Sequence, residues 1–200
     1  MAPAKKDKVS RKEQILQVLA SMLEDNLGER ITTAKLAAEV GVTEAALYRH
    51  FPSKAKMYEG LIEFIEETVF TRINRIKQEG QNALDKLQKT LTLVLAFCEK
   101  NQGMCRILAG DALAGESEKV RTRAEHFFQR LETELKQMIK DGEAQESLAR
   151  KLSPAASANL LLVNVEGRIH QYVRSEFKVK PTAHWANHWP ILAGGVCQAA

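Results

Sequence analysis

Residues 31–56 read ITTAKLAAEVGVTEAALYRHFPSKAK, and their spacing decides the architecture. Two short segments, Ala34 to Val40 and Glu44 to His50, flank the turn Val40-Gly41-Val42-Thr43. Thr33 is placed to cap the first and Thr43 the second, since a threonine hydroxyl accepts from an orphan amide of a helix's first turn. Gly41 can take the left-handed backbone that ends a helix sharply. Pro52 stops the second segment. Leu36, Ala37, Val40, Val42 and Leu47 are spaced to lock the two segments together. The pattern predicts a helix-turn-helix whose second helix presents Thr43, Glu44, Ala45, Tyr48, Arg49 and His50. Small residues at its start permit close approach to a groove floor, and Tyr48, His50 and Lys54 offer phosphate donors. Glu44 would repel phosphate; it could accept from a cytosine amino group, or simply favour the helix N-terminus.

Working outward, nearly every other segment has a helical period. Ser10-x-x-Glu13 is a capping box, followed by Ile15, Leu16, Leu19, Met22 and Leu23 on one face up to Asn26–Gly28. Ser53 can cap a helix running to about Gly80, the longest clear one in the chain. Further helices are expected at about 82–100, 104–115, 117–140, 154–175 and 183–197. Pro154 falls at the first position of one, and Thr182 at the cap of the last. A joint is expected at 141–152. Nine helices and no sheet make the chain all-α. Its domains read as a basic arm (1–9), a helix-turn-helix domain (10–53) and a C-terminal domain for partner binding and dimerisation (54–200).

The 200 residues carry 29 Lys+Arg against 25 Asp+Glu, a formal net charge of +4. All of that excess lies in residues 1–12, MAPAKKDKVSRK; the remainder is neutral. Residues 1–58 hold ten basic and seven acidic side chains, too weak an excess for bulk attraction alone to drive DNA binding. No stretch approaches the roughly 20 apolar residues of a membrane span, and no apolar run follows the N-terminal charges. Three widely spaced cysteines, Cys98, Cys105 and Cys197, suggest no disulfide framework, so a reducing cytoplasm is the simplest setting.

The string T-x-x-x-L-A-x-x-x-G-V-x-x-x-x-L-Y-x-H-F-x-x-K, from Thr32 to Lys54, resembles the DNA-binding signature of the TetR family. The resemblance extends through RITTAKLA (30–37), EAALYRHFPSKAKMYEGLIEFIEE (44–67), TRINRI (71–76), RILAGDAL (106–113) and VRSEFKVKPT (173–182). Those blocks are similar to a division-regulating branch of that family, the nucleoid occlusion factors. The resemblance implies a homodimer bound at palindromic chromosomal sites in the nucleoid. It further implies that the DNA-bound form binds the division protein FtsZ, disrupts its polymers and blocks septum formation there. DNA contacts then fall on Thr33, Thr43, Glu44, Ala45, Tyr48, Arg49, His50 and Lys54. The FtsZ tail falls on Phe64, Arg72, Leu93, Ala96, Lys100 and Asn101. The dimer interface, in the last two helices, draws on Leu160, Leu161, Asn164, Gly167, Ile169, Tyr172, Trp185 and Trp189. On periodicity alone, Phe64, Leu93 and Phe97 read as helix-packing core in preference to a groove, and core packing is the alternative for the tryptophans.

Other constellations weigh less. His184 and His188 are four residues apart, but two ligands are too few for a stable zinc site. Cys98 and Cys105 read as buried small hydrophobes. No nucleophile–base arrangement, paired-carboxylate site or phosphate-cradling loop points to an enzyme, and neither metal nor cofactor is expected. The competing reading is a ligand-responsive repressor, which requires an apolar cavity of roughly 300–1,000 Å³ among the fifth to eighth helices. No small-molecule effector is expected on the preferred reading.

Overall fold

The computed structural model describes residues 10–26, 29–145 and 149–198. Among these, nine α-helices follow in order: α1 Arg11–Asp25, α2 Thr33–Val40, α3 Glu44–His50, α4 Lys54–Glu79, α5 Ala83–Lys100, α6 Gln102–Leu108, α7 Glu118–Gln145, α8 Pro154–Arg174 and α9 Trp185–Val196. The chain is all-α. One departure from the expected absence of sheet is a short antiparallel ladder, β1 Ala149–Arg150 with β2 Cys197–Gln198.

Local chemistry sets most boundaries. Ser10 and Glu13 form both halves of the capping box that starts α1. Ser53 caps α4, and Ser153 caps α8 with Pro154 in its first turn. Four expectations shift. α6 stops at Leu108 because Gly110 takes φ +76°, and a 3-10 turn, Asp111–Leu113, replaces its last turns. α7 has 28 residues against 26 for α4 and is the longer. It extends into the first part of the expected joint, as far as Gln145, with Gly142 buried in its last turns. The Thr182 hydroxyl donates to Glu99 rather than capping α9, which opens instead after His184 at φ +59°. The basic arm, and Leu27 and Gly28, lie outside the described residues.

A single hydrophobic core joins residues from α1 through α9. α4 contributes Met57, Leu61, Ile62, Ile65, Val69 and Ile73, all within 1% of complete burial. α1 is held to the body by α6. A Cβ added at Gly103 would meet the Ala20 carbonyl oxygen at 2.2 Å, so only glycine admits this approach. Beside it, the buried Arg106 donates to the carbonyls of Leu23 (2.7 Å) and Asn26 (2.9 Å) and pairs with Asp111 at 2.5 Å. A cation there complements the negative end of α1, whose own last turn has no basic residue.

Candidate nucleic-acid interface and partner groove

The turn between α2 and α3 is built as its sequence requires. Gly41 adopts φ +75°, its N–H donates to Ala38 O at 3.1 Å and Val42 N–H to Ala37 O at 2.9 Å, which together close the helix end. Thr43 caps α3, its hydroxyl accepting from Ala46 N–H at 3.2 Å. Leu36, Ala37, Val40 and Leu47 are buried and Val42 is half-buried, so the lock between the helices forms as spaced.

The cap of α2 is Thr32, one residue before the expected Thr33: Thr32 holds the extended backbone and accepts from Lys35 N–H at 3.2 Å. This frees the Thr33 hydroxyl, which donates to Glu44 Oε2 at 2.7 Å and accepts from Tyr48 Oη at 3.4 Å. Thr33, Glu44 and Tyr48 are thus brought together across the two helices. The tie holds Glu44 against α2, and Tyr48, 41% exposed, remains available. Thr43, Ala45 and Arg49 are exposed on the same helix, and His50 is half-buried.

Lys54 is placed differently from a free phosphate donor. Its ammonium pairs with Glu116 at 2.6 Å and lies over the Tyr58 ring at 5.4 Å, so phosphate contact would require leaving that pair. Glu116 is 62 residues away, beyond any local pattern.

α4 and α5 are joined by a short turn and run as antiparallel neighbours. A groove of about 560 Å³ between them is walled by Ile76, Asp85, Gln88, Lys89, Thr92, Leu93 and Ala96. Of the six candidates for a partner site, only Leu93 and Ala96 are in its wall. Arg72 precedes Ile76 by one turn, its guanidinium resting on Thr68 O at 3.3 Å. Phe64, two turns before Arg72, is 48% exposed on a helix whose other large apolar residues are mostly buried. Lys100 is exposed one turn beyond Ala96. Asn101 does structural work: its amide donates to Phe97 O at 2.7 Å and its backbone closes α5 where α6 begins. Ile76 was not anticipated; its place one turn beyond Arg72 on the same stripe is the signal for it.

The α8–α9 assignment divides. Leu161, Ile169, Tyr172, Trp185 and Trp189 are buried within the chain itself and so pack the core. Trp185 Nε1–H donates to Thr92 at 2.8 Å, and Tyr172 Oη donates to Glu99 O at 3.2 Å. Leu160, Asn164 and Gly167 line an open face instead, with Val163 and Val179 beside them. Leu160, Val163 and Ile191 are 43%, 54% and 74% exposed. Leu160, Val163 and Gly167 recur at three and four residues, one step out of phase with the inward stripe of α8.

His184 and His188 stack with centroids 6.2 Å apart, and His188 Nδ1 contacts Arg168. Among the described residues no group of three or more potential ligands is placed to hold a metal. Cys98 and Cys105 are fully buried, and a hydrogen bond between them and burial push the Cys98 thiol up. No helix is long and apolar enough to cross a membrane among the described residues.

Comparison with known proteins agrees with this architecture. Residues 29–61 match the bacterial regulatory proteins of the tetR family, and residues 81–196 the tetracyclin repressor-like C-terminal domain of SlmA-like type. The nucleoid occlusion factor SlmA of a Marinomonas strain is 57% identical, over 93% of this chain and 94% of that protein. The protein of the same name from Shewanella amazonensis is 53% identical, over 98% and 100%. Among solved structures, a TetR transcription regulator from Haloarcula marismortui superposes with a TM-score of 0.79 at 17% identity, covering 94% of this chain and 98% of that one. The fatty acid degradation regulator FadR of Bacillus halodurans gives 0.78 at 13% identity, covering 94% and 96%. The chain belongs to the TetR family and, within it, to the nucleoid occlusion factors of SlmA type.

Proposed function

We propose that this DNA-binding nucleoid occlusion regulator acts as a homodimer that engages palindromic chromosomal sites and, once bound, captures the C-terminal tail of FtsZ, disrupts its polymers and blocks septum formation over the nucleoid. The observation that carries the partner reading is Phe64. A phenylalanine nearly half in solvent, on the Arg72 side of a groove walled by Leu93 and Ala96, suits a short segment with apolar and acidic residues. Lys100 adds a second cation on the α5 side. The α3 face and its Thr33–Glu44–Tyr48 cluster support the DNA reading, with a basic arm adding salt-dependent affinity.

Fluorescence anisotropy of a labelled FtsZ C-terminal peptide, with and without duplex DNA carrying a chromosomal site, tests it. The expected result is binding that strengthens with DNA. Arg72→Asp should abolish peptide binding while operator binding survives. Survival of both activities, or loss of both together, would remove the groove assignment.

A ligand-responsive repressor fits less well. Between α5 and α8 the interior is filled by Phe97, Cys98, Ile107, Phe127, Leu131, Val165 and Ile169. The groove at α6–α8, about 460 Å³, has Leu108, Leu113, Phe128 and Leu162 in its walls but is open to solvent and rimmed by Arg121, Glu125, Glu132, Glu166 and His170. This reading requires no effector.

A further inference from the structure

Glu44 is the first residue of α3 and the only acidic one in that helix. It is exposed, and so are its small neighbours Thr43 and Ala45, which lets this end of α3 come close to a groove floor. A carboxylate in that place repels phosphate, and it has no cationic partner among the described residues. Nor is it needed to cap the helix, since the Thr43 hydroxyl already accepts from Ala46 N–H.

The carboxylate is nonetheless held. A threonine hydroxyl has one proton and an ionised carboxylate can only accept, so the Thr33 proton lies in the 2.7 Å bond to Glu44 Oε2. Tyr48, one turn along α3, donates to the same Thr33 oxygen at 3.4 Å. Both bonds cross from α2 to α3, two helices whose relative placement is set by the closed turn at Gly41 and the buried Leu36, Val40 and Leu47. Oε2 is therefore occupied within the head, while Oε1 has no partner among the described residues and keeps its lone pairs.

The chemistry of base edges selects what a fixed, acceptor-only group can read. In the major groove guanine presents two acceptors, and thymine an acceptor and a methyl group, which a carboxylate cannot bond. Adenine sets its one donor beside the N7 acceptor, whereas cytosine presents the N4 amino donor. We propose that Glu44, positioned by Thr33, reads a cytosine at one place in each operator half-site, Oε1 accepting from the N4 amino group. This rests on the DNA reading above, with α3 in the major groove. Thr33 is then a positioning residue that acts through Glu44 rather than on a phosphate.

Selection of half-sites from a randomised duplex library by the full chain, followed by affinities of single-base variants at fixed salt, tests this. Wild type is expected to enrich cytosine at one position per half-site and to bind that duplex about tenfold more tightly than one with another base there. Glu44→Gln should lose the preference or move it to adenine, whose N6 and N7 suit an amide. Its binding to random duplex should strengthen about threefold, because a charge that repels phosphate is gone. Thr33→Val keeps the shape without the hydroxyl and should weaken the cytosine preference, and Thr33→Ser should restore it. A merely structural Thr33 would instead lower affinity for every site alike and leave the preference intact. An unchanged cytosine preference in Glu44→Gln, or no cytosine preference in wild type, overturns the proposal. Failure of wild type to select any sequence removes the DNA reading and the proposal with it, so the two failures are distinct. Glu44 is exposed and glutamine nearly matches its shape, so the central comparison does not depend on how the Thr33 variants fold.

Discussion

The α4–α5 face and the α8–α9 face both leave apolar side chains in water, yet they are built for different occupants. In the first, Leu93 and Ala96 sit in a shallow groove whose two charged walls, Asp85 and Lys89, pair with each other, and Phe64, Arg72 and Lys100 are spread beyond it. The second has Leu160, Val163 and Val179 around Gly167, with Arg168, Lys180, His184 and His188 also in its walls, and Ile191 stands 74% exposed on α9. A Cβ added at Gly167, Gly194 or Gly195 would meet nothing within 4 Å, so backbone can approach closely there. A groove with flanking charge selects a short segment by its sequence. A face on which exposed apolar side chains flank small residues suits a second copy of itself, related by a two-fold axis.

The strongest way to break this contrast is to charge the α8–α9 face. Ile191→Asp combined with Val163→Asp places like charges across a two-fold interface, which costs several kcal/mol. Light scattering should then report monomers, and operator affinity should fall about 100-fold or more, since two half-sites are no longer held together. If the double variant stays dimeric, the interface is elsewhere. Next is Phe64→Ala, expected to weaken FtsZ-tail binding about tenfold while shifting stability by less than about 0.5 kcal/mol, because the ring is already half in water. A large loss of stability would mean that Phe64 is core after all. Thr33→Ala and Tyr48→Ala then give a lesion confined to the reading head. Each is expected to weaken operator binding about 3- to 10-fold at fixed salt with the dimer intact, as loss of one hydrogen bond suggests.

The smallest effect joins the two faces. Glu99, on α5, accepts from the Thr182 hydroxyl and pairs with Lys180 at 3.1 Å, tying the groove's far end to the segment before α9. Those contacts hold its carboxyl below the ordinary glutamate value. A depressed folded pKa means that its stabilisation is fully present above the unfolded value near 4.5. It is lost as pH falls through the lower folded value. Unfolding midpoints taken from pH 7 down to 3 should therefore fall less steeply in Glu99→Gln than in wild type. Parallel curves would show that Glu99 adds nothing.

Much of this was legible in residue order, and the misses share a cause. Gly41, Thr43 and Leu47 act through neighbours a few residues away, so the helix-turn-helix could be read directly. At Thr32–Thr33 both side chains can cap, and only the backbone decides between them. Trp185 and Trp189 have the periodicity of a buried stripe, which looks the same whether the covering atoms belong to this chain or to a second one. Here they belong to this chain, and the apolar side chains left in solvent are Val163 and Ile191. Lys54 reads as a free cation in residue order because Glu116 is remote in sequence. The open wall of the partner groove likewise needed the pairing of α4 with α5 before Ile76 could join Leu93.

The backbone-close meeting of α1 and α6 has a consequence for exchange between relatives. A graft of the reading head that stops at the end of α3 would carry α1 away from Gly103 and Arg106. Ile15, Leu19 and Leu23 would then lose part of their cover, and the last carbonyls of α1 their cation. α6 itself packs against α4, α5, α7 and α8, so the head cannot be exchanged along with α6 without cutting into the core of the body either. A head and a body from two relatives are therefore compatible only where the α1–α6 seam, Ala20 against Gly103 and Arg106 at the end of α1, is matched as well.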